Sequence, residues 1–131
     1  MTSAEARAIF HQQREAFAGF FPAVSSARLT IVRRACPGPS TGCAGRDLAW
    51  MVGGDVYLLA RALARSRNVV AALIAHELGH AVDIARWLPG SEQRADDFAA
   101  AVLSKRVRYT RRDGVQTFGP GLWPRPLYLH Q

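Results

Sequence analysis

The sequence predicts one α+β domain spanning residues 1–131: an N-terminal helix, a short three-stranded sheet, and two further helices, the first of which carries HELGH at 76–80. Three observations point to this. Apolar residues recur at helical spacing between Ser3 and Phe20. Two short strand-like runs flank Gly53-Gly54. The run VVAALIA leads straight into the histidine motif with strong helix formers. A chain of 131 residues supports one core, and 49% hydrophobic with only 21% charged residues marks a chain that folds.

In chain order, Ile9, Phe10, Phe17 and one of Phe20 or Phe21 form the apolar stripe of the first helix, which Pro22 stops. ARLTIVRR (27–34) alternates like a half-buried strand. CPGPSTGC (36–43) then reads as a loop. RDLAWMV (46–52) and DVYLLA (55–60) are the other strands, joined at Gly53-Gly54, a pair suited to the positive φ angles of a tight hairpin. DVYLLA is expected to offer an exposed sheet edge on which an extended peptide can pair. Ser66 or Asn68 caps the next helix, WLPG (87–90) ends it, and Ser91 caps a last helix containing SEQRADDFAAAVL. A basic segment and a Pro-rich tail, GPGLWPRPLYLHQ (119–131), follow.

The histidine motif is improbable by chance. With four His and four Glu in 131 residues, H-E-x-x-H is expected roughly four times in a thousand such chains. On a helix His76 and His80 lie about 40° apart around the axis and about 6 Å along it, so both rings reach one ion. Glu77 falls about 60° to the other side of His80, where a base for a metal-activated water belongs. Leu78 points to a core, and Gly79 leaves the backbone open to close approach. The competing reading is a buried helix whose histidines are satisfied by backbone or carboxylate partners, a costly arrangement among apolar neighbours.

A third ligand has to come from elsewhere, and four carboxylates follow. On the last helix Glu92 and Asp96 share the inward face or its margin with Ala95, Phe98, Ala99, Val102 and Leu103, whereas Asp97 is expected to face solvent. Asp83 lies on the histidine face but some 10 Å beyond His76, better placed for an ion pair with Arg86 or a hydrogen bond near His80. Glu92 is the preferred ligand and Asp96 the alternative, with Asp96 otherwise available to orient a ligand histidine. For Glu92 to reach the ion, the first helix must end soon after Asp83 or the second must cross it steeply.

Composition narrows the function classes. The longest strongly apolar run is seven residues, too short to span a membrane, and the charged N-terminal stretch is not a signal peptide, so a cytoplasmic location is expected. The net charge of +7 is almost all arginine, Lys105 being the only lysine. KRVRYTRR (Lys105–Arg112), with Tyr109, suits an acidic or nucleic-acid partner, or equally a solvated helix end. Two cysteines exclude a zinc ribbon. Cys36 and Cys43 are expected as free thiols in a reducing cytosol, with one small-loop disulfide or a thiolate near the metal as alternatives.

HELGH followed by EQRADDFA (Glu92–Ala99) resembles the H-E-x-x-H and E-x-x-A-D-x-x-A signature of small gluzincin-type zinc metallopeptidases, notably the ImmA/IrrE-like peptidases of bacteria and phages and the minigluzincins. The resemblance covers about residues 66–104. It implies a zincin-like fold, zinc held by His76, His80 and Glu92, Glu77 as general base and acid, and Asp96 supporting a ligand histidine. It implies a peptide or protein substrate, and the short apolar runs imply no membrane. The oxyanion partner is open among Tyr57, Arg94, Tyr109 and His130. Minigluzincins further suggest latency, with a tail bearing Trp123, Leu127, Tyr128, Leu129 and His130 plugging the cleft. The expected function is a zinc-dependent metallopeptidase; the alternative is a non-catalytic zinc-binding regulatory protein with an Arg-rich surface for a partner or nucleic acid.

Overall fold

The computed structural model describes residues 1–34 and 48–103. Cys36 and Cys43, the Lys105–Arg112 segment with Tyr109, and the 119–131 tail with its plug residues lie outside the described residues. Within them the chain forms a small α+β unit of three α-helices and a three-stranded mixed sheet. No described helix is long and apolar enough to cross a membrane.

Helix α1 (Ser3–Ala18) starts in a capping box: the Thr2 hydroxyl accepts the Glu5 N–H while the Glu5 carboxylate accepts the Thr2 N–H. Its buried stripe is Ala6, Ile9, Phe10, Gln13 and Phe17. Of the two phenylalanines that follow, Phe20 is exposed, and Phe21 packs edge-on against Phe98 at 5.3 Å. Pro22 opens a 3-10 turn, Pro22–Ser26, that leads into β1 (Leu29–Val32).

Strands β2 (Ala49–Val52) and β3 (Asp55–Leu59) form the expected hairpin, with Gly53 and Gly54 at φ of 60° and 89°, the left-handed pair a tight turn demands. The strand order is β1-β3-β2, with β1 parallel and β2 antiparallel to β3. DVYLLA is therefore the central strand, not an exposed edge. Chain order alone suggested otherwise, because nothing local places β1 on the far side of β3. The residues carry a trace of it only at the end of the strand, where the adjacent Leu58 and Leu59 are both buried.

Helix α2 (Arg67–Ala85) is capped by Ser66, whose hydroxyl accepts the Val69 N–H at 3.3 Å. It is apolar on nearly every side and lies between α1, the sheet and α3 (Glu92–Leu103). It stops in a Schellman turn: the Trp87 N–H donates to Ile84 O, the Leu88 N–H donates to Asp83 O, and Trp87 takes the left-handed position at φ 57°. The chain then folds back along α2, so the helix ends two residues after Asp83 and Gly90 passes beside the His80 ring. That return brings Glu92 level with the histidines.

Candidate metal centre

Helix α2 presents His76 and His80 one turn apart, with ring centroids 4.6 Å apart and ring planes at 86°. Helix α3 runs against it in the opposite direction, so that His80 meets Glu92 and His76 meets Asp96. Gly79 permits this, since a Cβ there would lie 2.7 Å from both Cα and O of Ala95. The backbone opening expected at Gly79 is thus filled by the opposing helix.

Three donor atoms converge. Oε2 of Glu92 lies 3.0 Å from His80 Nε2 and 3.2 Å from His76 Nε2, and the two Nε2 atoms are 3.0 Å apart. Among the described residues these three side chains form a group that can hold a metal ion. A tetrahedral zinc site with bonds of 2.0–2.1 Å has ligand-to-ligand edges of about 3.3 Å, close to this triangle. Hydrogen bonds alone fit it poorly. A proton on each Nε2 can satisfy the two edges to Glu92, but it leaves two imidazole N–H groups crowded along the third.

The outer contacts orient the donors. His76 Nδ1 lies 2.6 Å from Oδ1 of the fully buried Asp96, which suits an Nδ1–H donor and turns Nε2 toward the triangle. Asp96 therefore touches the far side of the His76 ring, and Glu92, not Asp96, joins the candidate triad. Burial pushes the His76 pKa down, but the hydrogen bonds the ring makes to Asp96 and Glu92 and the charges of Glu77 and Asp96 outweigh it and raise it to about 10. Burial pushes Glu92 up, and the hydrogen bonds and charges of His76 and His80 more than reverse this, leaving it well below the usual carboxylate range. Glu77 is buried beside them, and Leu78 is fully buried on the core side. The centre is reached from the Glu92 side, where that side chain is 31% exposed and His80 15%.

Two expectations fail here. Asp97 is buried, because α3 is enclosed on all sides from Ala95 to Ala100, and a wheel with one apolar face presumes solvent opposite it. Asp83 pairs with Arg94, its Oδ1 accepting Nε–H at 2.9 Å, while Arg86 sits over the Phe21 ring. Of the oxyanion candidates inside the described residues, Arg94 is engaged by Asp83 and by Pro89 O, and Tyr57 stacks on Trp50 at 5.9 Å. The end of α2 and the turn after it, Ile84, Ala85, Trp87, Leu88 and Pro89, line an open apolar surface pocket of about 520 Å³. Comparison with known families, curated proteins and solved structures finds no match to this chain.

Proposed function

We propose that the protein is a zinc-dependent metallopeptidase of the gluzincin type with a zincin-like fold. One observation carries the reading: His76, His80 and Glu92 place three ligand atoms within 3.2 Å of one another, on a centre that remains accessible on one side. An imidazole pair with one carboxylate is a donor set that zinc accepts while keeping a position for a small molecule. When bound there, zinc supplies Lewis acidity, polarising a carbonyl and lowering the pKa of water.

The chain's own residues do the rest. Asp96 holds His76 in one tautomer and one orientation. Glu77, adjacent to a ligand in sequence and buried, takes the proton of the attacking water and passes it to the departing amine. The extended substrate pairs on β2. The other outer strand, β1, already has Leu29 O engaged by the Arg7 guanidinium at 3.2 Å, and Arg14 holds Ala27 O just before it.

Replacing Glu77 by Gln tests the proposal. The variant and the parent should each bind one zinc per chain, and the variant should lose peptide hydrolysis by at least about a hundredfold. Equal cleavage by parent and variant would remove Glu77 from the mechanism.

A further inference from the structure

Ser91 caps α3, its hydroxyl accepting the Arg94 N–H at 3.2 Å. A complete capping box would have an acidic or amide side chain three residues after the cap, reaching back to the cap's own N–H. Here that position is Arg94, which has no acceptor to offer. The missing acceptor comes from the other helix. Oδ2 of Asp83 accepts the Ser91 N–H at 3.0 Å, and Oδ1 of the same carboxylate accepts Arg94 Nε–H at 2.9 Å. Arg94 also donates to Pro89 O, so the loop joining the helices is tied into the same knot.

We propose that Asp83 and Arg94 form a positioning clamp that completes the cap of α3 in trans and thereby sets Glu92 against the two histidines. Glu92 lies between the two clamped residues, Ser91 and Arg94, at the first position of the helix. Asp83 is anchored one turn beyond His80 and is 1% exposed. The distance from the histidine helix to the carboxylate of Glu92 therefore passes through one half-buried ion pair. Its charge-assisted bonds are short and directional, which a packed apolar pair of equal volume would not be. The pair also keeps the Arg94 cation compensated near a centre meant for a divalent ion.

The inference rests on the metal reading above, and the test separates the two. Zinc affinity is measured by competition with a chromophoric chelator on the full chain, beside the visible spectrum of the cobalt(II) form and the melting temperature of the metal-free form. Asp83→Asn keeps the shape and an acceptor for Ser91 but turns an NH2 group toward Arg94; Arg94→Met keeps the stem and removes the donor. Each should weaken zinc binding by about 10- to 100-fold and alter the cobalt band while the metal-free fold persists. Combining them should weaken it little further, because one interaction is lost in either case. Affinities within twofold of the parent, with only the melting temperature lowered, would overturn the clamp and leave the metal reading intact. A parent chain that binds neither ion would remove the metal reading, and the clamp with it.

Discussion

Gly79 and Ala95 are in backbone contact: a methyl group on Gly79 would sit 2.7 Å from the Cα of Ala95. The obstacle is main chain, so no rotamer change relieves it. Gly79→Ala must part the helices at the level where His80 and Glu92 meet. Alanine gains up to about 1 kcal/mol in helix propensity, but overpacking against a fixed backbone costs about 1–3 kcal/mol. A net loss of about 1 kcal/mol in denaturant unfolding is expected, with zinc affinity falling more than tenfold. Unchanged affinity would mean that the ligand spacing does not depend on this contact.

Asp96 meets His76 at 2.6 Å with no exposed surface of its own. Asp96→Asn keeps the volume but can offer an amide N–H where an acceptor is needed. Zinc affinity is expected to fall about 10- to 100-fold, measured by chelator competition. A variant matching the parent would reduce Asp96 to core filling.

Proton linkage gives a signed expectation. In the metal-free chain the His76 pKa is raised from 6.5 to about 10, so its stabilising contribution is complete below about 6.5 and disappears as pH rises through about 10. Glu92 is shifted downward from 4.5, so its contribution is complete above about 4.5 and lost on acidification. The metal-free form should be most stable between these limits. At pH 7.5 His76 holds a proton that an ion on Nε2 displaces, so zinc uptake should release about one proton and its apparent affinity should rise with pH. The dependence of binding enthalpy on buffer ionisation reads that number directly; no proton release would contradict the protonated His76.

Trp87 holds a left-handed conformation at φ 57° and is 95% exposed, at a position where Schellman turns favour glycine. Trp87→Gly gives up almost no buried surface and relieves about 1 kcal/mol of backbone strain. The variant is expected to unfold at higher denaturant concentration. A less stable variant would show that the indole makes contacts that its exposure does not suggest.

Much of this arrangement is legible in the residues. The glycine pair at Gly53-Gly54 between two strand-like runs and the cap candidates Ser66 and Asn68 announce local structure, because hairpins and helix starts are decided by neighbours in sequence. Helical angles alone place Glu92 and Asp96 inward, and both meet the histidines. What escapes is long-range. The insertion of β3 between β1 and β2 depends on which edge a distant strand joins. The burial of Asp97 depends on what surrounds α3 on its second side. Asp83 chooses Arg94 over the nearer Arg86 because the return of the 86–91 loop, invisible in a wheel drawn for one helix, carries Arg94 alongside it. The one local hint was an arginine where a capping box wants an acid.

Metal stoichiometry by native mass spectrometry, on the parent chain beside His76→Ala, Glu92→Ala and Glu77→Gln, bears most directly on the shared site. One zinc per chain is expected in the parent and in Glu77→Gln, with occupancy lost in His76→Ala and Glu92→Ala. Full zinc retention by Glu92→Ala, or none in the parent, would contradict a centre built from these two helices.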